Sequence, residues 1–221
     1  MTEETALNDG QTVKPLVAVL GDYWHSRAMI EEALQAAERR LGNIRIHSAD
    51  AENELLEQLA GRPAAVIIYR CRTMGGPDEE PKAWLSPAGE QAIVQYVSNG
   101  GRLLAWHSGL AFYEKESAYV EMLRGRFLHH PPMKNVDYID AVTGETIMTL
   151  FDEHYFVEVD EDRTEVFLYS LAGKDRQIAG WMHAYGQGKV CCLVPAHDRT
   201  ALHQEKFQRL LCEKLGELTE P

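Results

Sequence analysis

The sequence predicts an α/β fold in which a parallel sheet, covered on both faces by helices, continues into an antiparallel portion. Three observations predict it. Strand and helix signals alternate from the start of the chain to residue 107. The four strands placed there are short or continuously apolar, as strands buried on both faces are. From residue 136 onward, five strand-like stretches follow without the helices that parallel crossovers need.

Residues 1–13 are polar and read as a frayed arm ahead of one domain over 14–221. LVAVLG (16–21) is an apolar run and predicts a buried strand. Residues 27–41 carry Ile30, Ala33, Leu34, Ala37 and Leu41 on one helical face, with Ser26 at the N-cap position and Gly42 after the last turn. NIRIHS (43–48) predicts a strand, 51–61 a helix capped by Asp50 and stopped by Gly61, and AAVIIYR (64–70) a second buried strand. A polar loop follows, and Ser86-Pro87 opens a helix, since the missing N–H of proline costs nothing at the first helical position. That helix shows Ala92, Ile93, Tyr96 and Val97 on one face and ends at Asn99-Gly100-Gly101. RLLAWH (102–107) is the next buried strand.

A short helix is expected over 117–124, between Ser117 and Gly125. Strands are expected at 136–142, 154–159, 166–172, 177–185 and 189–195, with Gly186 and Gly188 marking a hairpin between the last two. A closing amphipathic helix places Phe207, Leu210, Leu211 and Leu215 together.

Charge and composition narrow the function. The 221 residues carry 22 basic and 34 acidic side chains, a net charge of −12, which argues against a nucleic-acid partner. No apolar run approaches the roughly 18 residues of a membrane span, and the first residues lack the apolar core of a secretion signal. A cytoplasmic protein is expected. The four cysteines, Cys71, Cys191, Cys192 and Cys212, form no CxxC pair, and Cys191 and Cys192 read as small buried hydrophobes. Cys71 follows a strand and is expected to be accessible near a site.

Ligands of open α/β sheets bind outside the carboxyl ends of the parallel strands. Three histidines fall at such ends: His25, His107 and His197. Convergent imidazoles serve as ligands of a divalent metal such as zinc, or supply a general base. These three are the candidate metal ligands, and His107 and His197 are also candidate catalytic residues. Asp152 and Glu153, adjacent acids ahead of a strand, are candidate acid–base partners. Tyr23, Trp24, Trp106 and Tyr185, with His183, are candidate substrate contacts, because flat aromatic faces and hydroxyls suit a sugar ring. His129-His130-Pro131-Pro132 reads as a loop that either lines a pocket or is a solvated turn. No GxGxxG fingerprint and no P-loop is present.

GDYWH, LSPAGEQAIVQYVSNGGRLLAWHSGLA, FDEHY and GWMHAYGQGKVCCLVPAHD together resemble the trehalose-utilisation (ThuA-like) family, from Val17 to Leu211. The resemblance implies a flavodoxin-like, class I glutamine amidotransferase-like three-layer sandwich with a mostly parallel central sheet. In amidotransferases a nucleophilic cysteine occupies the strand-to-helix turn, where this chain has His107-Ser108-Gly109. His197 matches the partner histidine, and its acid is displaced to Asp198. Imidazole cannot form the same acyl-enzyme, so glutamine hydrolysis is not expected. Gly75-Gly76 resembles the oxyanion loop. The family also implies a small-molecule sugar as ligand and a sugar dehydrogenase in the same pathway. An exposed sheet edge would allow a homo-oligomer. A non-catalytic sugar-binding or assembly module, or an amidotransferase-like subunit lacking its nucleophile, is the competing expectation.

Overall fold

The computed structural model describes residues 13–76, 78–80 and 82–220. The expected N-terminal arm therefore lies almost wholly outside the described residues.

The alternating half folds as its hydrophobic pattern dictates. Strand β1 (Lys14–Leu20) leads through helix α1 (Arg27–Leu41) to β2 (Ile44–Ser48), and helix α2 (Glu52–Ala60) leads to β3 (Ala65–Tyr69). A small hairpin of β4 (Thr73–Met74) and β5 (Lys82–Ala83) precedes α3 (Pro87–Ser98) and β6 (Arg102–Trp106). All five residues of β3 are buried, as are the last five of β1. Ser86 caps α3 by accepting the N–H of Gly89 at 3.1 Å, and Ser117 caps α4 (Ala118–Leu123) by accepting that of Val120 at 3.2 Å. Two expected caps are corrected. Ser26 has cap-like backbone angles but makes no side-chain cap bond. Helix α2 begins one residue later than expected, after Ala51, because the Asp50 carboxylate pairs with Arg27 while its N–H donates to Glu54.

The second half contains more strands than its pattern showed: β7 (Gly125–His129), β8 (Lys134–Asp140), β9 (Thr146–Asp152), β10 (Phe156–Val159), β11 (Glu165–Ala172), β12 (Asp175–Tyr185) and β13 (Gly188–Leu193). The β12–β13 hairpin forms as expected, with Gly186 at φ 59°. Strand β9 was not expected, because threonines and an outward Phe151 interrupt its apolar set, leaving only Met148, Leu150 and Asp152 buried. The loop expected at His129 is the end of β7, which pairs with β10 in a separate two-stranded ribbon. Helices α5 (Arg199–Leu202) and α6 (Glu205–Thr219) close the chain.

One nine-stranded sheet has the order β2-β1-β3-β6-β13-β12-β11-β8-β9. The first five strands are mutually parallel and each later neighbour is antiparallel. The sheet thus divides five to four, where a mostly parallel sheet was expected. Helices α1, α5 and α6 pack together, as do α2, α3 and α4, and both groups contact β6. The result is a mixed α/β sandwich. The chain order reverses at β1, so the connections that leave the carboxyl ends of β1 and β3 run to opposite faces of the sheet and open a crevice there.

Candidate functional site

Each histidine of the crevice is set by its own local device. After β1, Gly21 turns the chain at φ 77°, and a Cβ there would meet Arg27 at 2.8 Å. Asp22 then accepts the backbone N–H groups of Trp24 (3.0 Å) and His25 (3.1 Å) and the His25 Nδ1–H (2.6 Å), while its other oxygen takes the Cys71 N–H at 3.0 Å. A carboxylate only accepts, so the proton sits on Nδ1 and the His25 Nε2 lone pair is bare. That atom is buried and unpartnered.

His107 follows β6 at φ 49°, a left-handed conformation costly for any residue with a Cβ. The turn over His107–Leu110 is held close to β3 because Gly109 lacks a side chain; a Cβ there would sit 2.1 Å from the Ile68 carbonyl oxygen. His107 Nδ1–H donates to the Val194 carbonyl at 2.7 Å, which leaves Nε2 as its lone-pair nitrogen. His197 follows β13 and a second left-handed residue, Ala196 at φ 85°. Glu153 comes from the end of β9.

The four side chains meet. His107 Nε2, His197 Nδ1 and Glu153 Oε2 form a nearly equilateral triangle with sides of 3.3, 3.3 and 3.4 Å. Tetrahedral zinc with bonds near 2.1 Å requires donors about 3.4 Å apart. With His25, one ligand atom from each of the four residues lies within 4.8 Å of the others. The His25–Asp22 and His107–Val194 bonds fix tautomer and ring orientation as outer partners of metal-bound histidines do.

Burial raises the Glu153 carboxyl, but hydrogen bonds and charge from His107 and His197 outweigh it and hold the group well below the usual carboxylate range. Asp22 behaves alike: burial opposes ionisation and the His25 bond overrides it. Burial lowers His25. Burial also works against charge on His197, yet Glu153 beside it raises its pKa. A divalent cation at the triangle would displace the protons that His107 and His197, when charged, share with Glu153 and would keep the carboxylate ionised in their place.

The centre opens into a cavity of about 430 Å³, whose walls include Trp24, Phe112, Phe127, His130 and Tyr155. Trp24 and Phe112 are more than half exposed, and Phe112 sits at φ 64°, so three residues at or beside this cavity carry left-handed backbone. His130 Nε2 lies 3.5 Å from Glu153 Oε1. A larger groove of about 740 Å³ runs past Lys14, Tyr96 and Arg102 at the opposite sheet edge. Among the described residues the only cluster of metal-ligating side chains is the His25 group, so the smaller cavity is the candidate site.

Several expected site residues lie elsewhere. Trp106 is fully buried, donates to the Pro195 carbonyl at 2.7 Å and belongs to the core. His183 and Tyr185 sit at the other end of the sheet, because β12 runs antiparallel and Tyr185 pairs with Gly188 near the start of β6. His183 is committed to the Met122 carbonyl at 2.9 Å. Asp152 is fully buried and saturated: it accepts from Tyr138 Oη (2.8 Å), from the N–H of Ala196 (2.8 Å) and His197 (2.9 Å), and from that of Glu153 (3.0 Å). It positions the site and is not free for acid–base work. Cys71 lines the cavity but is buried, and burial followed by the Asp22 charge pushes its thiol up to about 12. Tyr23 stacks edge-on to Trp24 at 4.7 Å and covers Gly76, so the Gly75-Gly76 loop supports an aromatic and does not face the cavity. Tyr155, Phe112 and Phe127 join the cavity without a sequence pattern of their own, although Tyr155 stands in the FDEHY motif two residues after Glu153.

Three solved structures share the fold. A protein described as ThuA-like from Parabacteroides merdae ATCC 43184 superposes with a TM-score of 0.73 at 12% identity, covering 94% of this chain and 90% of its own. One described likewise, from Bacteroides uniformis ATCC 8492, gives 0.69 at 14% identity, with 97% and 95% covered. A cytoplasmic protein from Salmonella typhimurium LT2 gives 0.62 at 17%, with 93% and 100% covered. No curated protein matches the chain significantly by sequence. The family model for trehalose utilisation, ThuA, matches residues 17–214. The chain therefore belongs to the ThuA trehalose-utilisation family.

Proposed function

We propose that this protein acts on a sugar or oxidised sugar of trehalose-related metabolism at a divalent-metal centre held by His25, His107, His197 and Glu153. The observation that carries this reading is the 3.3–3.4 Å triangle of His107, His197 and Glu153 donors, with the bare His25 Nε2 beside it. A bound divalent ion would polarise a sugar carbonyl or activate water. The chain's own part is to hold and orient. Asp22 and the Val194 carbonyl fix two imidazoles, and Asp152 fixes the third through the backbone. Trp24, Phe112 and Phe127 offer apolar faces to the ring and exclude water. His130, a third exposed and 3.5 Å from Glu153, is placed to carry a proton between cavity and solvent.

The parallel strands run β2-β1-β3-β6-β13, the flavodoxin-like order, and we place the chain with the amidotransferase-like scaffolds on that ground. With His107 at the nucleophile turn, glutamine hydrolysis is not its reaction. A cytoplasmic setting accords with the Salmonella structure's description and with the lack of a helix long and apolar enough to cross a membrane among the described residues. A sugar dehydrogenase that supplies an oxidised sugar, and pairing of copies through a sheet edge, belong to the same reading.

The test is metal analysis of the purified protein, followed by turnover of trehalose and its 3-keto derivative with and without the metal. One equivalent of a transition metal and turnover lost in His107→Ala are expected. Sugar binding with no turnover by the metal-loaded protein would instead establish a binding module.

A further inference from the structure

Beside the centre stands a tyrosine to which the metal reading gives no task. Tyr155 is buried, its ring stacked on His107 at 4.6 Å and packed against Phe127 at 4.4 Å. Its hydroxyl lies 3.2 Å from His107 Nε2. The His107 Nδ1–H is already given to Val194, so Nε2 carries a lone pair and the Tyr155 O–H donates to it. A cation at the triangle takes that same lone pair. The hydroxyl then loses its acceptor while it remains held against the ion, at the wall of the cavity from which a ligand enters. A buried donor without an acceptor is costly, so whatever oxygen next reaches the ion gains that bond.

Resting on the metal reading above, we propose that Tyr155 is a further catalytic residue: a hydroxyl donor to an oxygen of the substrate when that oxygen sits on the metal. Its O–H stabilises negative charge building on a carbonyl or hydroxyl oxygen and makes no bond to the metal itself. The stacking on His107 and the tilted contact with Phe127 fix where the ring places its hydroxyl oxygen. Donors fixed before reaction toward a developing oxyanion contribute roughly 10²–10³-fold to rate where they have been removed one at a time.

The test needs no known substrate. Full-length wild-type protein and Tyr155→Phe are loaded with Co²⁺, and acetate is titrated in while the visible absorption of the cobalt is followed. Tyr155→Phe keeps the ring and its stacking. It is expected to bind Co²⁺ within about threefold of wild type and to bind acetate about tenfold or more weakly, the scale of a lost hydrogen bond to a charged oxygen. Equal acetate affinity in the two proteins overturns the proposal, and so does loss of Co²⁺ from the variant, which would make Tyr155 a ligand or a packing residue. Failure of the wild type to bind Co²⁺ at all would overturn the metal reading first and this inference with it. Where a turnover assay exists, the variant lowers kcat with little change in KM.

Discussion

The carboxylate of Asp152 accepts the backbone N–H of His197 at 2.9 Å, and this bond ties the end of β9 to the turn after β13. The same carboxylate takes the Ala196 N–H, so the left-handed turn that aims the imidazole is held from outside its own segment. Asp152→Ala leaves three backbone donors and the Tyr138 hydroxyl without an acceptor. A loss of about 3 kcal/mol or more in urea unfolding is expected. Zinc affinity should fall roughly 10–100-fold, as for other outer partners of metal ligands. An unchanged affinity in a folded variant would show that the turn holds itself.

Zinc should stabilise the folded chain by mass action. At a hundred times its Kd the gain is about 2.7 kcal/mol, read as a rise in Tm. Glu153→Gln and His25→Ala should shrink that rise, and His107→Ala should abolish it. The same Tm rise in all three would place the ion elsewhere.

Phe112 combines a side chain more than half exposed with φ 64°. Glycine relieves that backbone, while little packing is lost at an exposed position. Phe112→Gly should gain about 1 kcal/mol in unfolding free energy. It should at the same time weaken sugar binding measured by calorimetry, because a wall of the cavity is gone. Destabilisation would mean that the Phe112–Phe127 contact at 6.0 Å outweighs the strain.

Away from the centre, His183 gives a pH dependence of stability. Burial pushes its pKa down to about 4, against an ordinary value of 6.5. Between those values the unfolded chain binds the proton and the folded chain resists it. The contribution is therefore complete above about pH 6.5 and is lost as pH falls toward 4, a total of about 3 kcal/mol. His183→Gln can still donate to the Met122 carbonyl and should flatten the stability profile in that window. Urea unfolding at pH 7, 5.5 and 4.5 compares the slopes.

Sequence patterning carried the parallel half because its information is local. A strand buried on both faces must be apolar throughout, and a helix lying on a sheet must repeat every 3.6 residues. Hence β1, β3, β6, α1 and α3 were legible within a residue or two. The antiparallel half was less so: β9 and β7 bury only one side, or very little, and their Thr, Phe and His residues give no clean alternation.

By itself the sequence also determined that His25, His107 and His197 stand just after strands, and a parallel sheet puts such turns on one edge. Only the tertiary structure decided which other residues join them. Antiparallel β12 carries His183 and Tyr185 to the far edge, and β9, which was not foreseen, brings Glu153 in beside the imidazoles while Asp152 turns inward to hold the His197 turn. The division between two adjacent acids follows from the pleat. Neighbouring side chains at a strand end point opposite ways, and which of them meets the site depends on a register set by partners far away in the chain.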